Sequence, residues 1–425
     1  MNRFGCTKLF TLLTNEQYLD CRDFNQPGGG MNILVADKLS QKALTALQDI
    51  GAKVDFQPDL SSEKLVDAIK HKEILIVRST RVTSDIIQNA DDLSLIIRAG
   101  AGVNTIDLKA ASERGIHVAN CPGENTSAVA ELAIGLLIAA DRRIAFADRD
   151  LKNGRWRKKE YGKAKGLASR TLGIIGYGSI GSRVAHIARA MGMSIMAWSN
   201  NLTPEIVKDE DIMQTTDLLD IARKCDAISL HISSSPETFH LVDKSFLQEM
   251  KPGAILINTS RGEIIDTHAL MDVIPQKELH VAMDVYEDEP GSGEAEFLQT
   301  DLLEKVTGTP HIGASTEQAS DAIAAAVVRI VKSYIQTGKP LHAVNIQSKS
   351  PARVNLVVRH FNRVGVLAGV LDALKSEGIN IEEMENTIFE GGKTASCSLL
   401  LDDPPSSKLI DDLSHQEHII QVMQK

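Results

Sequence analysis

The chain is predicted to be α/β, with two doubly wound parallel sheets followed by a small antiparallel unit of order βαββαβ. Three observations predict this. From Met31 onward, short apolar runs alternate with amphipathic stretches, the pattern of strands crossing over through helices. A glycine-rich run, Gly176-Tyr-Gly178-Ser-Ile-Gly181, stands between an apolar run and a helical pattern. The residues from 351 onward change rhythm, with two long apolar-alternating runs side by side across Glu390-Gly-Gly-Lys393.

The elements follow in order. Asn32–Ala36, Lys53–Phe56, Ile74–Val77 and Leu95–Arg98 read as strands, with helices at Ser40–Ile50, Ser61–Lys70 and Ser84–Ala90 between them. A short strand at Gly115–Ala119 precedes a long apolar helix, Thr126–Arg142, for which Ser127 is the expected cap. Strands then recur at Leu172–Ile175, Ser194–Trp198, Ala227–Leu230, Ala254–Asn258, His280–Met283 and Lys305–Gly308, and an Ala-rich helix, Ala319–Thr337, closes the series. In the tail, Val354–Val358, Asn380–Ile388, Ala395–Asp402 and Ile419–Met423 are strands, while Gly365–Glu377 and Ser406–Leu413 are helices, a ferredoxin-like order. The expected division is 1–30 a loose extension (with Met31 an alternative start), 31–125 and 314–345 one domain, 126–313 a second, 346–350 a linker and 351–425 a third.

Composition narrows the function. The 425 residues carry 46 Lys and Arg against 56 Asp and Glu, a formal charge of −10. A chain without a basic surplus is not expected to bind nucleic acid or an anionic membrane generally. No apolar run reaches the roughly 18 residues of a membrane span. The five cysteines are scattered and form no C-x-x-C pair, which argues against a disulfide framework or a zinc site and fits a reducing, cytoplasmic setting.

The glycine run carries the first chemistry. Directly after a strand and at a helix start, Gly176 permits the tight turn, Gly178 lets the backbone approach a pyrophosphate, and Gly181 lets helix and strand pack closely. The amides around Ser179 and Ile180 then face phosphate oxygens at a positive helix terminus. The two parallel-sheet domains are therefore expected to be Rossmann-like, and NAD is the expected cofactor. An acidic residue to hold the ribose hydroxyls is expected near position 199, where Ser199 stands instead, so NADP stays open as an alternative.

Three further stretches, Lys251–Gly262, Ala282–Pro290 and Thr309–Gly313, follow in order behind that loop. Together they resemble the D-isomer-specific 2-hydroxyacid dehydrogenases, and the resemblance covers 31–425. Matched position by position it implies three catalytic residues, Arg261, Glu289 and His311. A histidine titrates near neutrality and suits proton transfer at a hydroxyl as hydride leaves. A carboxylate on its far nitrogen orients the ring and stabilises the imidazolium, and a guanidinium grips a carboxylate with two prongs. Taken singly, each has an ordinary reading: a surface histidine, a member of a solvated acidic run, an arginine neutralising a strand end. The resemblance also implies cofactor contacts at Gly176, Gly178, Ser179, Ile180, Gly181, Ser199, Thr259, Ser260, Arg261, Asp284, His311, Ile312, Gly313 and Ala314. For Asp284 the ordinary alternative is a strand-end cap.

For the substrate, Arg78 and Arg81 offer charge to a phosphate, and Ser79 between them is a further expected contact. Ala101 and Gly102 offer backbone amides to a carboxylate, and Asn125 and Arg261 are implied as further contacts. The tail looks like an ACT domain, a module that binds amino acids between paired copies. In serine-inhibited relatives the positions matching His360, Asn362 and Asn380 bind L-serine. The resemblance thus implies a phosphorylated 2-hydroxy acid substrate, L-serine as effector, and a homodimer or homotetramer. A reductase of hydroxypyruvate or glyoxylate is the nearest alternative, and a dinucleotide-sensing corepressor on the same fold is one of another class.

Overall fold

The computed structural model describes residues 30–58, 60–290, 295–347 and 350–425. The expected extension therefore lies outside the described residues, apart from Gly30. Contacts divide the chain into two compact units, one ending at Val344 and one beginning at Asn345.

The first unit contains two parallel sheets. In the first, β1 (Asn32–Val35), β2 (Lys53–Phe56), β3 (Ile74–Val77), β4 (Leu95–Arg98) and β5 (His117–Asn120) lie in the order β2-β1-β3-β4-β5. In the second, β6 (Thr171–Ile175), β7 (Ser194–Trp198), β8 (Met213–Gln214), β9 (Ala227–Leu230), β10 (Ile255–Asn258), β11 (His280–Met283) and β12 (Val306–Gly308) lie in the order β12-β11-β10-β9-β6-β7-β8. That order is the doubly wound one, and its reversal between β6 and β9 opens a crevice at the carboxyl ends of the strands. Central strands such as β3, β9 and β10 are buried at every position because helices cover both faces, whereas the edge strand β8 is exposed.

Helix Thr126–Arg142 starts the second sheet's half. Its N-cap is Asn125, so Ser127 is not the cap as expected but sits inside the first turn. The side chain of Asn125 makes no capping bond, which leaves the first amides of this helix without a side-chain cap. Helix Glu317–Thr337 carries the chain back to the first sheet. It starts on Thr316, whose hydroxyl accepts the Ala319 amide, and it stops at Gly338 in the left-handed region. Its buried stripe of Ile323, Val327, Ile330 and Val331 packs with Ile33, Leu44, Ile76 and Ile97.

In the second unit, β13 (Val354–Phe361), β14 (Ile381–Ile388), β15 (Thr394–Leu401) and β16 (Ile419–Gln424) form one antiparallel sheet in the order β14-β15-β13-β16. Alternate residues of β13 and β15 face a core closed by Val370, Leu374, Leu409 and Leu413 of helices Val366–Ser376 and Ser407–Ser414. Strand β14 is an edge and is exposed along most of its length. Among the described residues no helix is long and apolar enough to cross a membrane, and no cluster of His, Cys, Asp and Glu could hold a metal ion.

Candidate active site

The chemistry-bearing positions lie where strands end. Gly176 follows β6, Ser199 follows β7, Thr259 to Arg261 follow β10, Asp284 follows β11, and His311 lies just past β12. In the first sheet Arg78 follows β3, Arg98 ends β4, and Cys121 to Asn125 follow β5. A parallel sheet sends all its strand ends to one edge, which is how positions more than 100 residues apart, such as Gly176 and His311, come to the same edge.

Each glycine of the dinucleotide loop has its own reason. Gly176 has φ +94°, and a Cβ there would lie 2.4 Å from the His231 carbonyl oxygen. A Cβ on Gly181 would lie 2.1 Å from the Gly176 carbonyl, so only glycine lets the helix sit that close. A Cβ on Gly178 would meet nothing within 4 Å; that open space is where the backbone can receive a pyrophosphate. Helix Ser179–Ala190 begins there with no side-chain cap, so its first amides are free for an anion. Two buried hydroxyls at the same edge, Thr126 Oγ1 and Thr259 Oγ1, have no hydrogen-bond partner. These free amides and orphaned hydroxyls fit a bound dinucleotide. Ser199 Oγ accepts the Asn201 amide at 3.1 Å.

His311 Nδ1 is 2.5 Å from Glu289 Oε1, and among the described residues Nε2 has no hydrogen-bond partner. The backbone of His311 is left-handed, with φ +52°, a costly conformation for a residue other than glycine. Asp284, 1% exposed, holds it there. Its carbonyl accepts the His311 amide at 2.8 Å. Its Oδ1 accepts the Thr309 hydroxyl and the Ile312 amide, and its Oδ2 accepts the Gly313 amide. Through both carboxylate oxygens Asp284 thus ties the 309–313 turn to the end of β11, and Oδ2, with one donor, keeps acceptor capacity for another. A Cβ on Gly313 would come to 3.0 Å from Asp284 Oδ2.

Arg261 reaches across to the first sheet's loop, where its Nη2 lies 2.4 Å from the Cβ position of Gly102. Asn258, fully buried, shapes this turn by donating to the Arg261 carbonyl and accepting from the Ser260 amide and hydroxyl. Arg98 was not singled out in the sequence, yet it stands beside Arg78 and Arg261. Its Nε donates to the Arg78 carbonyl at 3.1 Å. Burial, then the neighbouring guanidinium groups of Arg261 and Arg78, hold Arg98 below the usual arginine range. Among the described residues none of the three forms an ion pair. Asp37, the nearby carboxylate, is occupied by the amides of Arg78, Ser79 and Thr80. Ser79 and Arg81 are exposed on the same loop, and Arg98 is the half-buried arginine beside Arg78 and Arg261. Ala101 and Asn125 are half-buried; the Ala101 carbonyl accepts the Asn120 side-chain amide, and Asn125 stands at the N-cap position of its helix with no side-chain capping bond.

In the second unit His360 is 2% exposed, with Nδ1 against the Phe361 carbonyl and Nε2 3.2 Å from Asn386 Oδ1. Asn362 is exposed beside it and donates to the Gly392 carbonyl. Asn380 is elsewhere. Ile381 pairs with Leu401, which pairs with Val354, whereas His360 pairs with Ala395. Asn380 therefore lies about seven strand residues away, roughly 23 Å, at the other end of the sheet. One copy of the unit does not bring the three residues together.

The fold and this edge are those of a dinucleotide-binding Rossmann protein. Residues 134–313 match the model of the D-isomer specific 2-hydroxyacid dehydrogenase NAD-binding domain, and the chain belongs to that family. Among its relatives is the D-3-phosphoglycerate dehydrogenase of Methanocaldococcus jannaschii, 37% identical over 74% of this chain and 60% of the relative. The hydroxypyruvate reductase of Thermotoga maritima is 39% identical over 67% of this chain and 92% of the relative. A solved NAD+-bound 3-phosphoglycerate dehydrogenase from Entamoeba histolytica superposes with a TM-score of 0.63 at 28% identity, covering 75% of this chain and 99% of that one. The chain spans about 60% of the length of the M. jannaschii relative.

Proposed function

We propose that this chain oxidises D-3-phosphoglycerate to 3-phosphohydroxypyruvate, the first step of L-serine biosynthesis, and that L-serine feeds back on it through the ACT-like unit. The observation that carries the substrate assignment is the cluster of Arg78, Arg98 and Arg261, unpaired among the described residues. Gathering three cations costs energy unless an anion joins them. A phosphorylated 2-hydroxy acid presents both a carboxylate and a phosphate, and glyoxylate or hydroxypyruvate presents only the carboxylate.

In this reading Arg261 grips the carboxylate and polarises the C2 oxygen, while Arg78 and Arg98 face the phosphate. His311 Nε2 takes the proton of the C2 hydroxyl. Glu289 on Nδ1 fixes the tautomer and stabilises the imidazolium. NAD, when bound, accepts the hydride from C2. Gly176, Gly178 and Gly181, with the amides of Ser179 and Ile180, hold its pyrophosphate. Ser199, Thr259 and the Ser260–Arg261 turn line its remaining length. Asp284 keeps His311 in its strained backbone and so acts as a positioning residue.

The serine site then needs two copies of the second unit, His360 and Asn362 from one and Asn380 from the other. The exposed edge of β14, with Met384 and Ile388 in solvent, supports such a pairing. The test is NAD reduction by D-3-phosphoglycerate, with and without L-serine, for the native chain and for His311→Ala. The expected result is turnover that serine suppresses and that the substitution lowers at least about 1,000-fold. Activity on glyoxylate or hydroxypyruvate but not on phosphoglycerate would replace this reading with that of a reductase.

A further inference from the structure

Glu287 lies two residues from Glu289 but faces away from the reacting groups. Its Oε1 is 2.6 Å from His240 Nε2, and its Oε2 accepts the Thr267 amide at 3.0 Å. Its own carbonyl accepts the Gln299 side-chain amide at 2.7 Å. Three segments cross at this one carboxylate. The first is the 238–242 turn, where His240 has φ +51° and its ring stacks on Phe239 with centroids 4.0 Å apart. The second is the 261–267 stretch that carries Arg261 into helix Thr267–Lys277. The third is the 284–289 stretch that carries Glu289.

The three segments are also tied directly. The His240 amide donates to the Glu263 carbonyl, the Val242 amide to Ile264, and the Asp266 amide to Val242. Gly262, next to Arg261, sits so close to the third segment that a Cβ there would lie 2.0 Å from the Tyr286 carbonyl. Arg261 and Glu289 thus hang from opposite sides of a joint in which Glu287 meets His240. The pair is largely shielded, with side chains 19% and 32% exposed. A carboxylate there also meets a free amide at the positive end of helix Thr267–Lys277.

We propose that Glu287, held by His240, is a positioning residue that sets the separation between the substrate-gripping Arg261 and the Glu289–His311 couple. The proposal rests on the catalytic reading of those three residues. The acidic run Glu287-Asp288-Glu289 then divides its work: Glu289 serves the reacting histidine, and Glu287 serves the frame. Loss of the pair loosens both sides at once, so the substrate is held less well and proton transfer is misaligned, while the dinucleotide loop, at β6, is untouched.

The experiment compares His240→Ala, His240→Gln and Glu287→Ala in the full chain, measuring kcat and both KM values with D-3-phosphoglycerate and NAD. For His240→Ala and Glu287→Ala the expected result is a fall in kcat of about tenfold and a rise in substrate KM, with the KM for NAD unchanged. A loss of folded protein would lower kcat and leave both KM values as they were. Gln at 240 keeps an N–H donor within reach of Glu287 and is expected to recover most of the loss. Should Glu287→Ala fail to fold, the two His240 variants decide alone. If kcat and substrate KM stay within about twofold in His240→Ala while His311→Ala still abolishes turnover, the positioning role is wrong and the catalytic reading stands. If His311→Ala itself keeps turnover, the catalytic reading falls, and the positioning role with it.

Discussion

Arg98 shows what a single residue adds that a motif does not announce. In the sequence it opens Arg98-Ala-Gly-Ala-Gly-Val-Asn104, a run that reads as a source of backbone amides. Nothing in that run says that the arginine turns back to bond the Arg78 carbonyl and approaches Arg261, which is 163 positions later. Arg261, Glu289 and His311 were legible because each stands in an ordered stretch. Their roles remain part of the proposal, but the His311–Glu289 contact is in place. If Arg98 faces the substrate phosphate, Arg98→Gln removes a charge-assisted contact worth about 1.5–3 kcal/mol, a rise of about 10- to 100-fold in KM for D-3-phosphoglycerate. The same substitution should leave the KM for D-glycerate, which lacks the phosphate, within about threefold. An equal effect on both substrates would place Arg98 in the fold and not at the phosphate.

At the scale of elements, apolar runs located the parallel strands almost to the residue: β2, β3, β4, β7, β9 and β11 have the expected bounds. Of these, β3 and β9 are buried at every position, so their side chains carry the whole signal, whereas the edge strand β2 is partly exposed. The sequence reading missed β8, two exposed residues on an edge, and the helix Ile144–Lys152, whose polar faces resemble a loop. The glycine loop allows a sharper test. Gly178→Ala meets no protein atom, so the melting temperature should stay within about 2 °C while NAD affinity falls about tenfold or more, read by fluorescence titration. Gly181→Ala drives a methyl into the Gly176 carbonyl, so stability and affinity should fall together. His231 follows strand β9, and burial pulls its imidazole down to about 4 from 6.5. The unfolded chain takes up this proton below pH 6.5 and the native chain does not. Stability is therefore retained above pH 6.5 and lost as pH falls toward 4, by about 3 kcal/mol from this group. Denaturant melts across that range should show a shallower acid limb for His231→Gln; an unchanged limb would assign the acid sensitivity to other groups.

At the scale of the whole molecule, each of the two units closes its own core, and the proposed serine site raises a question about copies. The βαββαβ order of the tail was legible from its alternating strands. The separation of Asn380 from His360 was not, because residue types carry no register. Strand pairing sets them at opposite ends of β14-β15-β13, and a two-fold partner can place the Asn380 of one copy beside the His360 of the other. Mixed assemblies test this. Chains carrying His360→Ala alone, or Asn380→Ala alone, should each lose serine inhibition, since every site then lacks one member. In a mixed pair, one site has both substitutions and the other has neither. Co-expressed and co-purified under two tags, such pairs should regain serine inhibition at one site in two. If the sites were built within single chains, every site in the mixture would carry one substitution and inhibition would stay absent. Recovery in the mixture, with none in either parent, would establish that the effector is read between subunits.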